Sequence, residues 1–165
     1  MYIKQLPVGV AKGTLIDLET TGLDSCLYEI ITLGVVVGNK LKILQRKDKD
    51  KELFYKRIKP IMKNLPQPFY AFNSGFEKKF LEHQLGIKII DKDLYEPWRN
   101  KADKKGLKWP KLDEIVPPPE TYFKESVVKG EDIPKLWDQF LAHEKQEYLD
   151  QIVRHNEIDL LRELI

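Results

Sequence analysis

Two acidic residues stand one position apart at the end of a short apolar segment, Leu15-Ile16-Asp17-Leu18-Glu19. Side chains alternate across a β-strand, so Asp17 and Glu19 are predicted to point to the same face. Two carboxylates one pleat apart repel each other unless a proton or a cation lies between them. Carboxylate oxygens bind hard divalent cations such as Mg²⁺ and Mn²⁺. The pattern indicates a metal site, with a strand that simply ends in solvent as the alternative.

A second group of chemically active side chains lies near the C-terminus, in His155-Asn156-Glu157-Ile158-Asp159. On a helix, His155 and Asp159 are four residues apart and share a face. The apolar residues around them predict that this face borders the core, so Asp159 could reach an ion held by a sheet. A histidine one turn away could accept a proton from a water molecule. The alternative is an exposed His–Asp pair that contributes little.

A third candidate lies in the segment Phe72-Asn73-Ser74-Gly75-Phe76-Glu77, where a predicted helix follows a predicted strand. Glu77 would add a fourth carboxylate to the other three. The same segment fits a capping box, in which Ser74 and Glu77 hydrogen-bond to the first turn of the helix. From these residues alone, the site and the cap both remain possible.

The hydrophobic pattern predicts the elements that must position these residues. Short β-branched segments at residues 13–18, 29–38 and 40–46 predict the three strands of an antiparallel meander. Gly38-Asn39 predicts a hairpin turn between the second and third strands. Further strands are predicted at 69–72 and 87–90. Apolar spacing predicts helices at 49–63, 74–85, 133–143 and 146–164. The proline-rich segment 91–128 is predicted to form short helices and a long loop. This order predicts an α/β fold, a mixed central sheet covered by helices.

The composition of the 165 residues is typical of one soluble domain spanning 1–165, with 42% hydrophobic and 33% charged residues. No apolar run approaches the ~18 residues of a membrane span, and the N-terminus has no long apolar segment, so a cytoplasmic location is expected. The single Cys26 excludes an internal disulfide bond. The net charge is only +2, but bases concentrate in 40–63 and 98–111 and acids in 131–165. That distribution suits a polyanion beside a cation site, or else an ordinary solvated surface.

The three acidic segments resemble, in residue type and in order, the motifs of the DEDD superfamily of 3′–5′ exonucleases, which have a ribonuclease-H-like fold. Within it they are most similar to the YprB-type ribonuclease-H-like branch. Residues 17–23 resemble the D-x-E-T-T-G-L strand of that branch. Residues 72–77 resemble its Y/F-N-G-x-x-F-D helix start, and residues 155–159 its H/Y-N-x-x-D helix.

The resemblance implies a nuclease that uses two divalent cations, Mg²⁺ or Mn²⁺, to hydrolyse phosphodiester bonds of DNA or RNA. A 3′–5′ exonuclease acting on a single strand or a 3′ end is expected. By resemblance, Asp17 bridges both cations, and Glu19 and Asp159 hold the one beside the attacking water. Glu77 supports the other cation. His155 stands where the family often has tyrosine, and would orient or deprotonate the water.

One residue departs from the family pattern, because the second-motif aspartate is Glu77 here. The extra methylene moves the carboxylate by roughly 1.5 Å, one covalent bond length. That shift could weaken the second cation site, for which Glu82 and Asp93 are alternative donors. The alternative function is therefore a catalytically weakened ribonuclease-H-like module that binds nucleic acid without cutting it.

Contacts to nucleic acid are expected from two segments. The resemblance implies that the chain around Thr20, Leu23 and Asn73 lies near the terminal nucleotide, with Leu23 as a wedge against a base. A second segment interleaves aromatic and basic side chains, and the residues predicted to bind there are Trp98, Arg99, Lys105 and Trp109. The alternative is that the tryptophans anchor a loop to the core and the lysines around them are solvated.

Overall fold

The computed structural model describes residues 2–7, 12–124 and 126–164, and its centre is a mixed β-sheet. The six strands are β1 (Tyr2–Pro7), β2 (Thr14–Thr20), β3 (Ile30–Val37), β4 (Lys40–Gln45), β5 (Phe69–Ala71) and β6 (Asp91–Asp93). Their order across the sheet is β1-β4-β3-β2-β5-β6. The pairs β1/β4, β4/β3 and β3/β2 are antiparallel, whereas β2/β5 and β5/β6 are parallel.

The predicted meander is confirmed as β2, β3 and β4, but one strand was missed and one predicted strand was wrong. Strand β1 was not predicted, because Lys4 and Gln5 interrupt its apolar pattern; it forms by pairing with the full length of β4. The last strand begins at Asp91, after the predicted segment 87–90. In that segment, Ile87 and Ile89 insert into the core, and the ladder with β5 starts only at Asp91.

Helices cover both faces of the sheet. They are α1 (Lys51–Lys63), α2 (Gly75–Leu85), α3 (Glu96–Lys104), α4 (Leu112–Ile115), α5 (Pro119–Phe123), α6 (Ile133–His143) and α7 (Gln146–Glu163), with a 3-10 turn at Gly130–Asp132. Where α1 begins, the Asp50 side chain accepts a hydrogen bond from the Glu52 N–H. At the C-terminal end of α2, Gly86 adopts a left-handed conformation and ends the helix.

The alternation of side chains along the strands divides the core between the two faces. Ile16 and Leu18 of β2 pack with α1 and α2, whereas Leu15 packs with Val153 and Leu160 of α7. This division confirms an α/β fold with a mixed sheet between helices. Within the described residues, no helix combines the length and the apolar character needed to cross a membrane.

Candidate active site

The central strand β2 places two carboxylates on the side of the sheet that faces α7. Asp17 and Glu19 alternate with Ile16 and Leu18, so they share the face of Leu15. Neighbouring strands flank β2 on both sides, and Glu19 is only 8% exposed. A carboxylate in such a position costs free energy unless a partner compensates its charge.

Helix α7 approaches this pair closely because β3 has a glycine opposite Asp17. Asn156 Nδ2 donates two hydrogen bonds to Asp17, one to Oδ2 over 2.7 Å and one to the backbone carbonyl oxygen over 3.2 Å. A Cβ atom on Gly34 would lie 2.0 Å from Asn156 Oδ1 and 2.5 Å from Leu160 Cδ1. No side chain fits there, so Gly34 allows Asn156 to orient Asp17. Sequence reasoning assigned no role to either residue.

Helix α7 also carries His155, which directly precedes Asn156, and Asp159, three residues beyond Asn156. His155 Nε2 lies 3.8 Å from Glu19 Oε1 and 3.4 Å from Asp159 Oδ2, so the imidazole stands between the two acids. Asp159 also contacts Arg162, whose Nη1 is 3.3 Å from Asp159 Oδ1. Arg162 is buried and its Nη2 lies 2.6 Å from Asp113 Oδ1, which ties α4 to α7. The structure therefore brings together the first and third predicted motifs.

Glu77 lies in the first turn of α2, and its side chain does not form the capping box considered from sequence. The Ser74 hydroxyl makes no hydrogen bond to the first turn of α2 and donates instead to Asp91 Oδ2 over 2.7 Å. Glu77 is 3% exposed, and its Oε2 has no hydrogen-bond partner among the described residues. Because β5 runs parallel to β2 with Tyr70 opposite Leu15, α2 begins close to Asp17.

A fifth acid, Glu163, was missed by the sequence analysis. It lies one turn beyond Asp159 on α7, and its Oε2 is buried without a hydrogen-bond partner among the described residues. The spacing His155, Asp159, Glu163 is i, i+4, i+8, so following the helix face one turn further would have found it.

Burial and mutual repulsion together disfavour the charged forms of these acids. Burial, followed by the charge of Asp159, raises the pKa of Asp17 well above its ordinary value. Hydrogen bonds from the Leu18 N–H and from Asn156 oppose that increase only in part. Burial also raises the pKa of Glu19, with added repulsion from Asp17 and Asp159. The acids can all be ionised only if positive charge compensates them.

The remaining acids behave in the same way. Burial raises the pKa of Glu77 and of Glu163, and the charge of Asp17 adds to the increase at both. The pKa of Asp159 is raised by burial, although His155 and Arg162 oppose the increase.

The acids of the site have the donor atoms that a divalent cation prefers. As the side chains stand in the described parts of the chain, no three His, Cys, Asp or Glu residues surround a single ion-sized position. The chemistry nevertheless fits, because the donors are carboxylates, and Glu77 and Glu163 each have a buried oxygen without a partner. Ion binding would require rotation of these side chains toward one another.

The residues expected near a terminal nucleotide lie at the ends of β2 and β5. The Thr20 hydroxyl donates to the Gly22 carbonyl oxygen over 2.6 Å and shapes the turn after β2. Leu23 in that turn is 86% exposed. Asn73 adopts a left-handed φ of 67°, and its N–H donates to Asp93 Oδ1 over 2.9 Å. Their contacts with nucleic acid stay predictions.

In the second predicted nucleic-acid segment, some side chains pair with their neighbours and others face solvent. Arg99 pairs with Asp93 and lies over the Tyr95 and Trp109 rings at 5.0 Å and 5.4 Å. The side chains of Trp98 and Trp109 are 39% and 48% exposed.

Lys105, which caps α3, is exposed like Trp98. The binding role of these four residues also stays a prediction.

A pocket of about 700 Å³ opens beside the carboxylates. His155, Asp159 and Arg162 line one wall, and residues within 111–120 and 126–131 supply the others. The pocket therefore joins the third motif directly to solvent.

Comparison with known proteins places this architecture. The family model RNase_H_2, described as RNase_H superfamily, matches residues 14–164. The Uncharacterized protein MJ0365 of Methanocaldococcus jannaschii is 27% identical over 90% of this chain and 89% of its own. The family B DNA polymerase of the archaeon Pyrobaculum calidifontis shares the fold with a TM-score of 0.53 at 16% identity, over 90% of this chain and 23% of the polymerase.

A structure described as "Exonuclease I (apo)" aligns at 13% identity with a TM-score of 0.42, over 86% of this chain and 47% of its own, which is too weak a likeness to support an argument. The family match covers nearly the whole chain and agrees with the predicted ribonuclease-H-like sheet. The chain therefore belongs to the RNase H superfamily.

Proposed function

We propose that this protein is a nuclease that uses two divalent cations to hydrolyse phosphodiester bonds, and that it acts as a 3′–5′ exonuclease. The observation that carries the proposal is the convergence of Asp17, Glu19, Glu77 and Asp159 from β2, α2 and α7, where Glu19 and Glu77 are buried and Asp17 and Asp159 are half-buried. Their pKa values are raised by burial and by one another. Membership of the RNase H superfamily supports the same conclusion.

The four acids would hold two divalent cations, Mg²⁺ or Mn²⁺. When bound, the cations supply positive charge that stabilises the phosphoryl oxygens and favours ionisation of an attacking water. The donor set fits this purpose, because all four residues offer carboxylate oxygens and Glu77 has one that is buried without a partner.

The surrounding residues orient these acids and handle the proton. Asn156 holds Asp17 Oδ2 by a 2.7 Å hydrogen bond, which limits rotation of that carboxylate. His155 Nε2 lies within 4 Å of both Glu19 and Asp159, a position from which it can accept a proton from the attacking water. Arg162 contacts the other oxygen of Asp159 and orients it.

The preference for a 3′ end is supported by two surface features next to the acids. Leu23 projects into solvent from the turn after β2, where it could pack against a terminal base. The pocket lined by His155 and Asp159 has space for a nucleotide, and Lys111 and Lys129 at its wall could pair with phosphate. Both DNA and RNA strands suit these features.

The test is digestion of 5′-labelled single-stranded DNA and RNA in Mn²⁺, Mg²⁺ or EDTA. Asp17→Asn keeps the size of the side chain but removes its charge. Asp138→Asn makes the same change at an exposed position of α6 and serves as the control. We expect a ladder of products that shorten from the 3′ end, lost in EDTA and slowed by about 100-fold or more in Asp17→Asn.

Four other outcomes would each contradict a part of the proposal. Internal fragments at the earliest times would indicate an endonuclease. Cleavage in EDTA, or equal rates for Asp17→Asn and Asp138→Asn, would exclude the metal site. Strand binding without cleavage would favour the binding module, and Glu77→Asp would then test whether the longer side chain weakens the site.

A further inference from the structure

The last turn of α7 carries an acid that no motif of the chain includes. Glu163 follows Asp159 by four residues, so the two side chains leave the same face of the helix. That face packs toward β2, because Asn156 on the same helix reaches Asp17. Glu163 is therefore directed toward the acids of the proposed cation site.

The Glu163 carboxyl lies near the acids of the first and second motifs. After burial, the charges of Asp17, Glu77 and Asp159 raise its pKa, which requires these carboxyls to be near one another. Its Oε2 atom is buried and has no hydrogen-bond partner among the described residues. The neighbouring Arg162 directs its two Nη atoms to Asp159 and Asp113.

Glu77 is in the same condition. It is 3% exposed, and its Oε2 is also buried without a partner among the described residues. Two acids on different helices thus have a buried carboxylate oxygen available, whereas Asp17 and Asp159 already contact nitrogen donors. A buried carboxylate oxygen without a partner costs free energy, which a bound cation would recover.

We propose that Glu163 supplies a further carboxylate to the divalent-cation site, on the side of Glu77. This inference rests on the proposed function, since it adds a ligand to the same site. It also gives the departure at residue 77 a physical meaning. Where a shorter aspartate is replaced by Glu77, an acid on α7 completes the donors from the opposite element.

A purely structural role for Glu163 would be to pack its side chain at the end of α7. Glu163→Gln separates the two roles, because the amide keeps an acceptor oxygen and the size of the side chain but loses the charge. The matched control is Glu147→Gln, which makes the same substitution at an exposed position in the first turn of α7.

The experiment is isothermal titration of the full chain with MnCl₂ in the absence of nucleic acid, after circular dichroism has shown each variant to be folded. We expect Glu163→Gln to weaken Mn²⁺ binding by about 10-fold or more relative to Glu147→Gln. Affinities that agree within twofold would overturn the role of Glu163. Glu163→Asp keeps the charge and is expected to bind Mn²⁺ more tightly than Glu163→Gln; equal or weaker binding would also count against the proposal.

The same titration separates this proposal from the proposed function. If Asp17→Asn abolishes Mn²⁺ binding while Glu163→Gln leaves it unchanged, the cation site stands and only the role of Glu163 is rejected. If the wild-type protein binds no Mn²⁺, both proposals are rejected together.

Discussion

The packing of α7 on the sheet should depend on the absence of a side chain at residue 34. In Gly34→Ala, the new Cβ would lie 2.0 Å from Asn156 Oδ1 and 2.5 Å from Leu160 Cδ1. Both distances are far below van der Waals contact, and both atoms belong to buried residues. The helix would have to move outward, or Asn156 would have to release Asp17.

The magnitude follows from the two contacts that change. Overpacking of a core by one methyl group costs about 1–3 kcal/mol. Loss of the hydrogen bond from Asn156 to Asp17 adds about 1 kcal/mol. A total near 3 kcal/mol corresponds to a decrease in Tm of about 6–12 °C for a domain of this size.

The assay is thermal unfolding of the metal-free protein followed by circular dichroism. Gly75→Ala is the control, because no heavy atom lies within 4 Å of its new Cβ at the start of α2. We expect that variant to be neutral or slightly stabilised. In the double variant Gly34→Ala/Asn156→Ala, part of the clash disappears, so the two losses should be less than additive. A Tm for Gly34→Ala within about 2 °C of the wild type would refute the close approach.

Two further predictions concern pH and nucleic acid. In EDTA, the pKa values of Asp17, Glu19 and Glu77 are raised, so the folded state binds more protons than the unfolded state. The stability that these acids contribute is therefore present below the ordinary carboxyl pKa range and is lost as the pH rises through the raised pKa values. The urea midpoint should therefore fall from pH 5 to 8 in EDTA and fall less in Mn²⁺; a rising midpoint would contradict this. Trp98→Ala should weaken binding of labelled single strands by about 5- to 100-fold with little change in Tm, because one stacked base is lost. Arg99→Ala should mainly lower Tm, since Arg99 is paired with Asp93. If instead Trp98→Ala lowered Tm and Arg99→Ala weakened strand binding, the contacts of both residues would be contradicted.

The parts of the fold that sequence predicted are those with local causes. Alternating apolar residues and the turn at Gly38-Asn39 were sufficient for the meander from β2 to β4. Strand β1 forms because it pairs with the backbone of β4. The polar residues of β1 interrupt its apolar pattern, so the sequence does not predict it. The position of β6 likewise depends on which residues meet Phe69 and its neighbours in β5.

The interpretation of Glu77 could not be decided locally, for a similar reason. Ser74-Gly75-Phe76-Glu77 has the residue types of a capping box. Here Ser74 has helical rather than extended dihedral angles, φ −50° and ψ −20°, and its hydroxyl does not cap the first turn. The hydroxyl donates instead to Asp91 Oδ2 on β6. Only a tertiary contact reveals this competition.

Helix α7 couples the candidate site to the stability of the fold. His155, Asn156, Asp159 and Glu163 all project from α7, so their mutual spacing is fixed by helical geometry and could be read from sequence. Their distance from β2 is fixed by Gly34, which is far away along the chain and carries no functional group. A glycine on β3 thus sets the position of every α7 donor relative to Asp17. Substitutions that move α7 should therefore weaken stability and cation binding together, whereas those on the exposed face of α7 should change neither.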